Sequence, residues 1–166
     1  QGVVAMLMKK TVTWVVVADG ARAHIARQPS TGQPLESVAG EDFVNPSHGR
    51  TRDIGTDKPG RVMDSTHGGH RHAVEQIDWH RFEKKKFAKS IAEHLEQAAE
   101  AKAFDRLVLV APPETLGELR AHLGKHGTAK VAGEIAKDLT HVPVNQLASH
   151  LGDAVRVNGN GNGNGG

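Results

Sequence analysis

Residues 11–19, TVTWVVVAD, form an almost unbroken run of β-branched and apolar residues that stops at Asp19-Gly20. A strand wet on one face alternates apolar with polar residues. A run without that alternation predicts a central strand buried on both faces, so the chain must supply covering layers above and below it. Asp-Gly is a hairpin dipeptide, and residues 21–27, ARAHIAR, alternate well enough to return as an antiparallel partner. Residues 35–42 make a weaker third strand, interrupted by Glu, Gly and Ser.

The second half of the chain supplies the layers. Val74 to Ala103 holds neither Gly nor Pro, and apolar residues recur at Val74, Ile77, Ala88, Ile91, Leu95, Ala98 and Ala99, which predicts one long helix. Glu83, Lys84, Lys85, Lys86, Lys89, Glu93, Glu96 and Glu100 fall on its opposite, solvated face. Residues 106–111, RLVLVA, read as a second buried strand. Pro112-Pro113 stops that strand and pre-sets a helix from Glu114 to about Gly124. Residues 130–137 alternate as a last strand, and 143–151 resemble a short closing helix. The order β-β-β-loop-α-β-α-β-α predicts an α/β fold: a mixed, about five-stranded sheet with helices packed on it, the long helix lying across one face.

The length of 166 residues suits one core, placed at 6–152. Residues 1–5 precede Met6 and read as a cloning or processing remnant, and the Gly/Asn-rich stretch within 153–166 has no side chains able to bury surface and reads as a flexible tail. No Cys is present, which excludes disulfides, thiolate metal sites and Cys nucleophiles and fits a reducing compartment. No apolar run approaches the ~20 residues that span a bilayer, so a cytoplasmic protein without a membrane partner is expected. The formal charge is +2 with a sequence pI near 9.0, too mild to advertise a nucleic-acid binder by itself, so local clustering decides.

Clustering is strongest where the helix begins. Residues 45–72 carry Gly and Pro at many positions and few apolar anchors, which predicts a long loop, and loops beyond ~12–15 residues in a compact domain are commonly functional. Within and just after it stand His67, Gly68, Gly69, His70, Arg71, His72, Asp78 and His80. Three readings stay open. As a metal site, His67, His70 and His72 with Asp64 or Asp78 suit a divalent ion such as zinc, although the spacing matches no helical pair; bare solvated histidines are the plainer alternative, with no cofactor. As a hydrolytic site, His70 serves as base, with Asp78 as its orienting carboxylate and Ser65 or Thr66 nearby, although no Gly-x-Ser-x-Gly is present. As an RNA contact, Arg71, Arg81, Lys84 and Lys85 meet phosphates, Trp79 and Phe82 stack on bases, and Gly68-Gly69 lets backbone approach closely. Ala18-Asp19-Gly20 adds a carboxylate at the end of the first buried strand, where α/β sheets often place a functional group, though a plain turn explains it as well.

Four segments together resemble the host-attachment protein family of proteobacteria: VTWVVVADGARAHIAR, HGRTRDIGTDKPGRVMDS, HRHAVEQIDWHRFEKKKFAKSIAEHLEQA and FDRLVLVAPPETLGELRAHL. The resemblance covers residues 10–152 and implies a protein required for attachment to host cells, with no reaction specified. More distantly, Gly68-Gly69-His70 before a long basic helix resembles the central domain of archaeal and eukaryotic peptide-chain release factors. Their loop reads Gly-Gly-Gln, so only Gly68 and Gly69 carry over, and His70 in place of the Gln weakens any expectation of termination-type hydrolysis. What this implies is a mixed five-stranded sheet and a module associated with RNA or the ribosome. The alternatives are a small metal-dependent hydrolase using the His-rich loop and a protein-interaction module that self-associates through a sheet edge or helix face.

Overall fold

The computed structural model describes residues 11–46 and 62–155, and for residues 62–78 only the backbone. The elements are β1 (Thr13–Ala18), β2 (Arg22–Gln28), β3 (Glu36–Val44), α1 (Val62–Glu100), β4 (Arg106–Val110), α2 (Pro113–His122), α3 (Lys125–Lys130), β5 (Val131–Ile135) and α4 (Val144–Leu147), followed by 3-10 turns at Ala148–His150 and Gly152–Ala154. The strands form one five-stranded sheet in the order β3-β2-β1-β4-β5. β1-β2 and β2-β3 pair antiparallel, whereas β1-β4 and β4-β5 are parallel, so the sheet is mixed as expected.

β1 is central, and all six of its residues are buried. Side chains alternate across a strand, so Trp14, Val16 and Ala18 enter one layer and Val15 and Val17 the other. On the first face they meet Phe87, Ile91, Leu95 and Ala99 of α1 together with Leu116 and Leu119 of α2. On the second they meet Val108 and Val110 of β4 beneath Leu139, Leu147, Leu151 and Val155. Trp14 and Phe104 pack with ring centroids 4.9 Å apart.

Three differences from the sequence reading stand out. The helix begins at Val62, not Val74, so residues 62–72, expected in the loop, are helical, and Gly68-Gly69-His70 lies within α1. The periodicity argument stopped at the glycines because each lowers helix propensity by roughly 1 kcal/mol, a local penalty that does not by itself end a helix. A short helix, α3, stands between α2 and β5 where none was expected. Finally, α1 closes at Lys102, whose φ of 62° is left-handed, with the Ala103 amide bonded to the Ala98 carbonyl at 2.9 Å. Glycine usually fills such a position; without one, the sequence reading carries the helix to Ala103, three residues past its end at Glu100.

Candidate functional site

The chain leaves β1 toward β2 on one side, while β4, on the other side of β1, continues toward β5. The segments following the carboxyl ends of β1 and β4 therefore diverge, and a crevice opens above the sheet where α/β proteins commonly bind ligands. Here it is a cleft of about 370 Å³, edged by Asp19 and Gly20 after β1, Asn45 after β3, Glu114 and Thr115 of α2, and Asp138 after β5. His80, Glu83 and Lys84 of α1 close its remaining side.

The hydrogen bonds show how these loops are fixed. Asp19 Oδ1 accepts from the amides of Ala21 (2.7 Å) and Arg22 (2.9 Å), so Asp19 holds the hairpin turn from within. Its other oxygen stands 3.1 Å from the Thr140 hydroxyl, which lies 2.7 Å from Asp138 Oδ1. A hydroxyl has one hydrogen to give, so Thr140 ties two carboxylates with a single donor. The Thr140 hydroxyl bond holds the Asp138 carboxyl below its ordinary pKa; burial opposes this, and the Thr140 amide, His141 and Arg22 reinforce it. Buried Asn45 donates its side-chain amide to the carbonyls of Gly20 (3.0 Å) and Glu83 (3.3 Å), joining the hairpin turn, the exit of β3 and α1. A β-carbon built on Gly20 would stand 2.7 Å from Lys84 Cγ and Cδ, so Gly20 is what lets the Lys84 stem lie against the turn.

One turn of α1 outward, the surface changes character. Trp79 is 45% and Phe82 58% exposed, two large aromatic side chains presented to solvent. Around them Arg81, Lys84, Lys85, Lys86 and Lys89 are exposed, while the single acid of residues 79–89, Glu83, is buried. Lys86 Nζ lies 5.9 Å from the Phe82 ring centroid, a cation–π distance. Lys85 is 4.0 Å from Glu118, a loose surface pair of little energetic weight.

The residues singled out in the sequence divide between two parts of α1. Arg81, Lys84 and Lys85 are brought together on the described face. Gly68, Gly69, His70 and Arg71 sit on the same helix about ten residues earlier, on the order of 15 Å along its axis. The side chains of His67, His70, Arg71, His72 and Asp78 fall outside the described residues. Among the described residues, no three His, Asp or Glu converge as a metal site. Asp19 both shapes its turn and lines the crevice. Sequence reasoning missed Asn45, Glu114, Asp138 and Thr140; Thr140 meets Asp19 across 121 positions, a pairing that no local pattern carries.

The family model described as "Protein required for attachment to host cells" matches residues 14–151. No curated protein matches the chain. Among solved structures, the crystal structure of the archaeal translation termination factor aRF1 is similar at a TM-score of 0.46 and 13% identity, over 90% of this chain and 37% of that one. The chain thus spans less than half the length of that protein.

Proposed function

The chain belongs to the family of proteins required for attachment to host cells, and from that premise we propose that it acts as an RNA-binding module with ribosomal RNA as a natural target. The family description names an outcome for the organism, not a reaction, so the surface has to say which molecule is recognised.

The observation that carries the reading is the pairing of two exposed aromatic rings with five exposed cations on one stretch of α1. Cations neutralise phosphates and release counterions, which supplies affinity without sequence preference. Aromatic faces stack on unpaired bases, each worth roughly 1–3 kcal/mol, and every base has such a face. Trp79 and Phe82 stand three positions apart on the helix, which makes them neighbours on its surface. An aromatic surface built for protein partners alone has no need of this excess of positive charge. Gly68, Gly69 and Arg71 extend the same helix in the amino-terminal direction and are assigned to the same contact. In this reading the protein is a cytoplasmic binding module and its effect on attachment is indirect.

Co-sedimentation with purified ribosomes and with a structured RNA tests the reading, comparing the intact protein with a Trp79→Ala/Phe82→Ala variant. Binding at low salt that falls at least about tenfold in the variant is expected from the loss of two stacking contacts. No pelleting of the intact protein at low salt sinks the proposal.

A further inference from the structure

The crevice at the carboxyl end of β1 and β4 shares His80 and Lys84 with the basic surface, yet its chemistry is the opposite. Asp19, Glu114 and Asp138 bring carboxylates to its lining, against Lys84 as the one side chain there that is always cationic. Acceptors outnumber donors: the Thr140 hydroxyl has one hydrogen for two carboxylates, and both oxygens of Asp19 are oriented by fixed partners. Such a recess does not suit a phosphate, which needs donors and positive charge around it. It suits a neutral group that brings its own N–H and O–H donors. Carboxylates accept from a free amine as well, and there the Lys84 ammonium in the same lining competes with it for them.

The size and surfaces narrow the ligand further. A volume of about 370 Å³ is at the small end of ligand-sized pockets. His80 and Pro112 both belong to its lining, and rings of this kind pack against a planar group. Aspartate and glutamate accept from ribose hydroxyls and from exocyclic base amines. We propose that the crevice binds one nucleoside unit, its ribose and base held by Asp19, Asp138 and Glu114, with its phosphates outside on the Lys84 side. This deepens the RNA reading and rests on it for the source of the nucleoside: an unpaired nucleotide of the RNA lying along α1 turns its base into the crevice.

The two readings fail separately. Adenosine, cytidine, guanosine and uridine are titrated singly into the full chain while the backbone amide resonances of Gly20, Asp138 and Thr140 are followed by NMR, with spermidine as the cationic comparison. Saturable shifts confined to these amides are expected, with one nucleoside favoured over the others. Ala21→Leu, which fills the cleft, is expected to weaken that binding about tenfold or more, as is Glu114→Ala, an exposed position whose loss leaves the fold intact. Absence of shifts with all four nucleosides, shifts equal in both variants, or shifts with spermidine alone overturns the proposal. An RNA hexamer assayed in parallel at low salt scores the RNA reading by itself: nucleosides that bind without the hexamer leave the crevice proposal standing and remove its RNA source, whereas a hexamer that binds while nucleosides fail removes the crevice alone.

Discussion

Glu96 sits in the carboxyl-terminal half of α1, on what the sequence presents as the solvated face, and the structure gives it a different task. Its carboxylate accepts from the amides of Gly127 (2.7 Å) and His126 (3.0 Å) and lies 2.9 Å from His126 Nδ1. These amides belong to the first turn of α3, whose N-terminal cap residue, Gly124, has no side chain to satisfy them. Glu96 therefore caps α3 from another helix and pins it to α1. The close approach depends on glycine: a β-carbon on Gly124 would stand 2.7 Å from Glu96 Cδ. Amide bonds to a charged acceptor contribute about 1.5–3 kcal/mol each when buried, and N-cap replacements typically cost about 1 kcal/mol. With the Glu96 side chain 21% exposed, solvent screening places Glu96→Ala at about 2–3 kcal/mol. For a domain of this size that corresponds to a fall in Tm of roughly 5–10 °C. Burial disfavours the charged form of Glu96, but the amides of Gly127 and His126 and the His126 ring outweigh it, so the pKa lies below its ordinary value of 4.5. A carboxylate with a depressed folded-state pKa stabilises fully above its unfolded pKa and loses that stabilisation as pH falls through the folded value. The stability gap between wild type and Glu96→Gln should thus be constant from neutral pH down to about 5 and shrink below 4.5. Chemical denaturation of wild type, Glu96→Ala, Glu96→Gln and Gly124→Ala across this range measures it. Gly124→Ala should reproduce most of the loss, and the Glu96→Ala/Gly124→Ala pair should be clearly less than additive. A loss in Glu96→Ala under about 0.5 kcal/mol, or a gap that persists unchanged at pH 3, refutes the capping argument.

Other substitutions probe other parts of the account. Asn45→Ala removes the amide that bridges two carbonyls at a buried site and should cost about 1–3 kcal/mol in urea melts, with the Asp19–Arg22 turn amides exchanging faster; unchanged exchange there contradicts its bridging role. Lys102→Gly relieves a left-handed backbone position and should raise stability by about 0.5–1 kcal/mol, a gain that thermal unfolding detects directly. Burial lowers the pKa of His24, with Arg22 adding to the effect and Asp42 opposing it. Its folded-state pKa therefore lies below the unfolded value, stability declines as pH falls below about 6.5, and His24→Gln should flatten that decline. An imidazole titration by NMR at or above the free-histidine value excludes this reading. Leu119→Ala, at a fully buried contact between α2 and the sheet, should cost about 2–5 kcal/mol.

The sheet was legible because its signal is local. The unbroken Val-rich run of β1 and the RLVLV run of β4 are the two strands covered on both faces, and each ends in punctuation, Asp19-Gly20 or Pro112-Pro113, that the backbone obeys. What was missed depends on partners distant in sequence. α3 has no amphipathic stripe of its own in six residues and is fixed by Glu96, some thirty positions away. The helical reach of α1 back to Val62 was hidden by two glycines, since propensity weighs residues one at a time while a helix propagates cooperatively. The basic, aromatic face was half legible: Trp79 and Phe82 do not both fit the apolar stripe and are exposed, but the burial of Glu83 among exposed cations needs the packed structure. The crevice was represented in sequence only by Asp19-Gly20, because its other edges arrive from β3, α2 and the segment after β5.

The central claim is that residues 79–89 of α1 bind RNA through phosphate contacts and base stacking. Its most direct test is the dependence of the binding constant for a single-stranded RNA on salt, measured for the wild type, for Arg81→Gln/Lys84→Gln/Lys85→Gln and for Trp79→Ala/Phe82→Ala. Each phosphate contact on a single strand contributes about 0.7 to the slope of log K against log salt, so removing three cations should make the slope shallower by about 2. The aromatic pair should lower affinity by about 1–3 kcal/mol per ring and leave the slope unchanged. Slopes identical in all three proteins, or wild-type binding absent at low salt, contradict the account.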